Sequence, residues 1–187
     1  MAQQAIEFRR EVPLRHDVDV FVAGGGPAGV AAALAAARQG ARVYLAEGQF
    51  CFGGMGTAAG LPLFCMFTDG VNFLAGGIGR EIYDRLFAMP GGVVRSKRGD
   101  SSIQYPPEAL KVVYDEMVSG AGLEFSLGTH LVGVQSEDGW VRHAFCWGKS
   151  GLFAVRAKAF VDATGDGDLC AWAGAPFEKG DAEGLMQ

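Results

Sequence analysis

The sequence lacks the segments and the charge that mark nucleic-acid-binding, secreted and membrane-spanning proteins. Its net charge is −5 and it contains no long basic run, which argues against a nucleic-acid partner. Residues 1–17 are polar and charged and include no apolar core of a secretory signal. The alanine-rich stretch 30–37 is followed by Arg38 and is too short to span a bilayer. We therefore expect a soluble, cytoplasmic protein with no membrane partner.

Metal-binding and nucleophile patterns are missing as well. The four cysteines form no CxxC pair, so we expect reduced, mostly buried thiols rather than a redox dithiol or a zinc knuckle. The three histidines are scattered without ligand spacing, so no metal site is expected. No GxSxG motif is present, and no glycine run ends in the Gly-Lys-Ser/Thr of an NTPase loop.

What the chain has in abundance is glycine, 29 of its 187 residues, and residues 17–47 hold the most informative cluster. An apolar run over 18–22 leads into GGGPAG at 24–29, an alanine-rich helix follows, and a second apolar run ends at Glu47. A strand, a glycine turn, a helix, a strand and an acid are typical of a dinucleotide-binding unit. The alternative is a glycine turn with no ligand, but this full context disfavours it.

Each glycine of the motif has an expected role. Gly24 allows a tight turn off the strand, Gly26 lets a pyrophosphate approach the backbone, and Gly29 lets the helix pack closely on the sheet. The helix N-terminus offers unpaired N–H groups to phosphate oxygens. Glu47 can accept hydrogen bonds from ribose hydroxyls and would repel a 2′-phosphate, which disfavours an NADP-type adenosine.

The remaining pattern predicts an α/β fold with a parallel sheet, followed by antiparallel hairpins around Asp138-Gly139. Segment 48–79 is apolar, glycine-rich and without period, which favours an ordered stretch threaded past a ligand. The expected elements are helices over 27–39, 80–89 and 107–119, strands over 41–46, 123–127 and 155–161, a short hairpin over 93–105 and hairpins over 129–154.

Four stretches resemble one family of flavoproteins. They are DVFVAGGGPAGVAAALAAARQGARVYLAE at 19–47, GGMGTAAG at 53–60, YPPEALKVVYDEM at 105–117 and AKAFVDATGDGDLCAWAGAPFEKGD at 157–181. In these stretches the chain resembles the FAD-dependent oxidoreductases related to glutathione reductase and succinate dehydrogenase, over nearly its whole length from Asp17. The resemblance implies a Rossmann-like FAD-binding domain with a parallel sheet and an inserted antiparallel β-meander.

The resemblance also implies a set of cofactor-binding residues. Glu47 would hold the adenosine ribose, and Leu131 would lie where such proteins touch adenine through the main chain. Asp166 and Asp168 would lie near the polar edge of the cofactor; the alternative is that they cap a helix starting near Leu169. The remaining residues implied to line the pyrophosphate, ribityl chain and flavin are Gly24, Gly26, Pro27, Ala28, Gly29, Gly53, Gly54, Thr57, Ala163, Thr164 and Gly165.

The family resemblance also bears on domain organisation. Such proteins normally continue beyond the equivalent of residue 187, into a substrate domain that is absent here. We therefore expect residues 1–187 to form an FAD-binding domain with an excursion over 48–106, either as a fragment or as one chain of a two-chain flavoprotein. A second chain or missing C-terminal domain is the expected partner, homo-oligomerisation is possible in principle, and no catalytic residue is assigned.

The expected function is an FAD-dependent oxidoreductase that passes hydride or electrons through non-covalent FAD to a small-molecule substrate. Two alternatives stay open at this point. One is a non-catalytic dinucleotide-binding subunit or scaffold, which has no physical need for the intact glycine motifs. The other is an NAD-dependent dehydrogenase, which does not need the second glycine pair Gly53-Gly54.

Overall fold

The computed structural model describes residues 6–181 and 183–185. Its strands, in chain order, are β1 (Leu14–Ala23), β2 (Val43–Ala46), β3 (Leu63–Phe64), β4 (Ile103–Gln104), β5 (Glu124–Ser126), β6 (His130–Glu137), β7 (Trp140–Gly148) and β8 (Gly151–Asp162). The α-helices are α1 (Pro27–Arg38), α2 (Gly77–Ala88), α3 (Pro107–Gly120) and α4 (Asp168–Trp172), and a single 3₁₀ turn covers Gly54–Gly56. Among the described residues, no helix is long and apolar enough to cross a membrane.

Six of the strands form one sheet in the order β5-β2-β1-β8-β7-β6. The pairs β5–β2, β2–β1 and β1–β8 are parallel, whereas β8–β7 and β7–β6 are antiparallel. This arrangement confirms the predicted α/β fold with a mostly parallel sheet. The meander is hydrogen-bonded into that sheet, because the long strand β8 pairs with β1 on one side and with β7 on the other.

The middle of the sheet is buried on both faces, as expected for parallel strands covered on each side. On β1, Val22 faces a core formed with the helices, while Phe21 and Ala23 face a second core. On β2, Leu45 and Tyr44 divide in the same way. Successive strand residues point to opposite faces, so each short strand supplies both cores.

Helices α1, α2 and α3 cover one face of the sheet and meet it in the first core. Helix α1 begins with Pro27 and ends before Gly40, whose φ of +84° stops the helix as predicted. Helix α3 also matches its predicted range within one residue. Helix α2 begins at Gly77, three residues before its predicted start.

The second core holds the aromatic side of the sheet, which is closed by β7, β8 and the short helix α4. Tyr44, Phe21 and Phe153 are fully buried there. The ring of His16 stacks on Tyr44 at 3.8 Å between centroids. Burial raises the pKa of Tyr44 to about 12, so this phenol stays neutral.

The two predicted hairpin regions have different outcomes. Asp138 and Gly139 have positive φ values of 52° and 78° and connect β6 directly to β7, so the turn prediction is confirmed. The hairpin predicted over 93–105 is reduced to a single bridge between Val94 and Gln104. Strand β4 pairs mainly with β3, so its partner is a distant part of the excursion and not its own neighbour.

Candidate functional site

Two glycines of the GGGPAG turn are required by the fold itself. Gly24 has φ +97°, and a Cβ added there would lie 2.2 Å from the carbonyl oxygen of Ala163. A Cβ added at Gly29 would lie 1.8 Å from the carbonyl oxygen of Gly24. Gly24 also donates its N–H to the Ala46 carbonyl, 2.7 Å away. These contacts confirm the tight turn at Gly24 and the close packing at Gly29.

Gly26 differs from the other two because the protein itself does not need a glycine there. It has extended backbone with φ −66°, and a Cβ added to it would meet no atom within 4 Å. The next two residues, Pro27 and Ala28, are exposed at the first turn of α1. The turn therefore presents bare backbone and a helix N-terminus to open space, which is the arrangement that admits a phosphate.

Glu47 lies at the end of β2 and is buried, with 6% of its surface exposed. Its Oε2 accepts the N–H of Gly25 at 2.5 Å and its Oε1 accepts the N–H of Gln49 at 2.6 Å. The carboxylate therefore braces the glycine turn, a role that the sequence analysis missed. Since two carboxylate oxygens offer about four lone-pair sites, the predicted ribose contact stays chemically feasible.

The second glycine motif lies directly against the first. Gly53 donates its N–H to the carbonyl of Gly25 at 2.8 Å, and a Cβ added at Gly54 would lie 3.3 Å from Cα of Gly26. Thr57 is buried and its hydroxyl donates to the Phe52 carbonyl at 2.7 Å. Gly54 thus lies beside Gly26, whereas Gly53 is buried and, together with the Thr57 side chain, holds the loop in place.

Two tyrosines, Tyr105 and Tyr114, pack against the loop of the second glycine motif. A Cβ added at Gly56 would lie 2.7 Å from the Tyr105 hydroxyl, and one added at Gly53 would lie 3.0 Å from the Tyr114 ring. Both hydroxyls are buried and have no hydrogen-bond partner among the residues that the structure describes. Burial raises the pKa of Tyr105 to about 12 and raises that of Tyr114 further, so both are neutral phenols.

The segment after β8 returns to the same place. Ala163 donates its N–H to the Ala23 carbonyl at 2.8 Å, which fixes the segment beside the glycine turn. The Thr164 hydroxyl accepts the N–H groups of Gly167 and Asp168, each at 3.0 Å. Gly165 lies exposed at the tip of the segment.

The capping alternative for the two acids after Gly165 is not what the structure shows. Helix α4 has Gly167 at its N-cap position and no side-chain cap there, and Asp166 is exposed. Asp162 instead accepts the N–H of Cys170 at 2.8 Å. The sequence analysis did not identify this role, because the two bonded residues lie eight positions apart on either side of a turn.

Leu131 lies in β6, opposite Cys146 of β7, and packs against the second core. The connection that precedes β6 crosses the end of β2, because Thr129 donates its N–H to the Glu47 carbonyl at 2.9 Å. The edge strand β6 therefore begins beside Glu47. Leu131 follows Thr129 by two residues, and its side chain is used in packing.

These segments meet because β1, β2 and β8 are parallel and end at the same edge of the sheet. The glycine turn follows β1, Glu47 follows β2 and Ala163 follows β8. Ligands of open α/β sheets bind at this carboxyl edge. The structure thus brings the predicted residues together, and their contact with a cofactor remains a prediction.

A glycine turn opening a helix, with a buried acid on the adjacent strand, defines the class of dinucleotide-binding α/β proteins. Within this class, the family model of FAD dependent oxidoreductases matches residues 19–186. The chain belongs to this family, and its cofactor is FAD. The bare backbone at Gly26 and Gly54 fits a pyrophosphate, and nothing in the comparisons supports the scaffold or the NAD-dependent alternative.

Several solved structures share this fold. A geranylgeranyl bacteriochlorophyll reductase-like protein from Thermoplasma acidophilum is 20% identical with a TM-score of 0.63, over 85% of this chain and 42% of that one. THI4 of Thermovibrio ammonificans is 21% identical with a TM-score of 0.58, over 83% and 61%. The flavin-dependent monooxygenase PieE, solved with FAD and substrate, is 23% identical with a TM-score of 0.53, over 79% and 30%.

These likenesses establish the fold. The chain spans 42%, 61% and 30% of the lengths of these three neighbours, respectively. A search of curated proteins gave no match.

Proposed function

We propose that residues 1–187 form the FAD-holding part of an oxidoreductase that passes hydride or electrons between non-covalently bound FAD and a small-molecule substrate. When bound, FAD supplies the redox chemistry at its isoalloxazine ring. The observation that carries the proposal is the open side of Gly26, where the protein leaves a position free of atoms beside a helix N-terminus.

In this proposal, different residues of the chain bind different parts of FAD. The first N–H groups of α1 receive the pyrophosphate oxygens, and Gly26 keeps that approach free of side chains. Gly54 extends the same bare surface beside Gly26, and the N–H of Gly53 holds their loop against Gly25. Glu47 holds the turn in place and receives the ribose hydroxyls with its remaining lone pairs.

The substrate side is proposed to come from a further domain or a second chain. The support for this is that the chain covers a minority of the length of two of the neighbours described above. The excursion over 48–106 leaves apolar side chains such as Met66 and Leu74 exposed. The protein is proposed to work in the cytoplasm, because its four free thiols suit a reducing compartment.

The experiment compares Gly26→Val with Gly76→Val. Both glycines are N-cap residues with nearly the same backbone, φ −66° and ψ −177° for Gly26 against φ −75° and ψ −179° for Gly76. At neither position would a Cβ meet an atom within 4 Å. The two changes are therefore matched in backbone conformation and in the space around Cβ, and only Gly26→Val adds bulk at the proposed site.

The readouts are the visible spectrum, the flavin released on denaturation and the dissociation constant for added FAD. We expect the unmodified chain and Gly76→Val to bind FAD, and Gly26→Val to bind it about a hundredfold more weakly or not at all, because a misplaced group blocks several hydrogen bonds at once. If the unmodified chain takes up no FAD, the proposed function is wrong. Equal affinity in both variants would remove Gly26 from the site.

A further inference from the structure

Asp162, the last residue of β8, is a partly buried acid that organises the segment after that strand. Its Oδ1 accepts the backbone N–H of Thr164 at 3.1 Å and the hydroxyl of the same residue at 2.7 Å. Its Oδ2 accepts the N–H of Cys170 at 2.8 Å. One carboxylate therefore ties the end of β8 to the first turn of α4.

The Thr164 hydroxyl extends this arrangement. It donates to Asp162 and accepts the N–H groups of Gly167 and Asp168, each at 3.0 Å. The two side chains together bind four backbone N–H groups, those of residues 164, 167, 168 and 170. Burial alone would raise the pKa of Asp162, but the hydrogen bonds from Cys170 and Thr164 outweigh it and lower that pKa, so the acceptor is a carboxylate.

The N–H groups of Gly165 and Asp166 are left over. Among the described residues neither has a hydrogen-bond acceptor, and both residues are exposed at the tip of the turn. A Cβ added at Gly165 would meet no atom within 4 Å. Because the Ala163 carbonyl lies against Gly24, this tip stands beside the glycine turn that follows β1.

We propose that Asp162 is a positioning residue for FAD. It engages Thr164 so that the four inner N–H groups are used within the protein, while those of Gly165 and Asp166 point outward to donate to oxygen atoms of the bound cofactor. The inference rests on the proposed function and adds an acid that does not itself touch FAD. It also explains why a Thr stands at position 164, since the hydroxyl both donates and accepts.

The test uses three variants: Asp162→Asn, Thr164→Val and Thr164→Ser. Asn replaces one acceptor oxygen by an NH₂ group that cannot accept the N–H facing it, and Val removes the hydroxyl at constant shape. Ser keeps the hydroxyl and is the matched control. FAD dissociation constants are measured well below the melting temperature of every variant, so that the folded fraction is the same in all.

We expect Asp162→Asn and Thr164→Val to weaken FAD binding by about ten- to a hundredfold, and Thr164→Ser to bind as the unmodified chain does. Amide hydrogen exchange should speed up at residues 164–170 while the strands β1 and β2 keep their protection, and the absorption bands of bound FAD should shift. A role in stability alone would lower the melting temperature and leave these bands and the affinity unchanged.

The outcomes separate this inference from the proposed function. If the unmodified chain binds FAD and both variants bind it equally well, the positioning role is wrong and the proposed function stands. If the unmodified chain binds no FAD, both fail. If Asp162→Asn does not fold, the comparison of Thr164→Val with Thr164→Ser still tests the inference, because Val lacks the hydroxyl and Ser keeps it.

Discussion

Glu47 combines two roles that sequence patterns assign to different residues. An acid at the end of the second strand is expected to bind ribose, yet here both carboxylate oxygens are bonded to backbone N–H groups of Gly25 and Gln49. The Glu47 side chain therefore ties the glycine turn to the segment that follows β2. An acid that only bound ribose could remain exposed, whereas just 6% of the Glu47 surface is exposed.

The change Glu47→Gln tests this double role. Gln keeps the shape but sets an NH₂ group against one of the two backbone N–H donors, which leaves that donor unpaired. We expect the free energy of unfolding to fall by about 1–3 kcal/mol and FAD binding to weaken about tenfold. Urea denaturation and FAD titration measure the two effects. Glu178→Gln, at an exposed acid, is the control, and an unchanged unfolding free energy would contradict the bracing role.

At the scale of single residues, the glycine motif allowed some roles to be predicted from the sequence, but not those that depend on the path of a loop. The motif alone correctly assigned the turn to Gly24 and the close packing to Gly29, because the spacing in such turns follows from backbone geometry. It could not show that Thr57 uses its hydroxyl on Phe52, since that depends on the path of a loop without period. The part of Asp162 was equally hidden, because its partners lie on both sides of a turn.

At the scale of elements, β1 and β8 are joined by charge as well as by their ladder. Asp17 is paired with Arg156, and Asp19 accepts from Lys158 at 2.8 Å and from Arg42 at 3.2 Å. The hydrogen bond from Arg156 lowers the pKa of Asp17, and that from Lys158 does most to lower the pKa of Asp19. These acids are exposed, so each pair adds little by itself.

These pairs predict how stability depends on pH. The folded pKa of both acids lies below 3.8, so their contribution is complete above pH 3.8 and is lost as the pH falls through the folded values. We expect the melting temperature to decline below that pH and Asp19→Asn to make the decline shallower. Thermal melts across this range measure it, with Asp166→Asn as control. An identical acid profile for Asp19→Asn would contradict the assignment.

Predicting elements succeeded where the pattern was local. Helices α1 and α3 have proline near the start and glycine at the end, and their ranges agree with prediction to within one residue. The short strand β4 has two residues, too few to carry a period, and its main partner β3 lies far back in the chain. Pairing of this kind is set by tertiary contacts, so the predicted local hairpin over 93–105 was only partly right.

At the scale of the whole molecule, the excursion over 48–106 exposes several large apolar side chains. The exposed large apolar residues there are Phe50, Met55, Leu61, Met66, Val71, Leu74 and Val94. Groups of such side chains on a surface commonly mark a place where another protein surface or a ligand binds. Their position agrees with a substrate side supplied by a further domain or a second chain.

This surface predicts the behaviour of the isolated chain. We expect it to bind an apolar fluorescent dye and to self-associate as its concentration rises, and we expect Met66→Ser with Val71→Ser to reduce both effects by roughly half or more. Dye titration and sedimentation velocity measure them. Val112→Ser, at an exposed position on α3, serves as control. Dye binding that is the same in all three proteins would assign it to another part of the chain.

The pairing of β1 with β8 has a consequence for how the chain reaches this state. Asp17 and Arg156, which bond across the pair, are 139 residues apart in sequence. Contacts of such separation form slowly, and β1 has an open edge until its partner has been synthesised. On the ribosome, the glycine turn and α1 emerge early beside an incomplete sheet. The carboxyl edge of the sheet is thus completed only after β8 has been synthesised, and we expect the growing chain to be most prone to aggregate before that point.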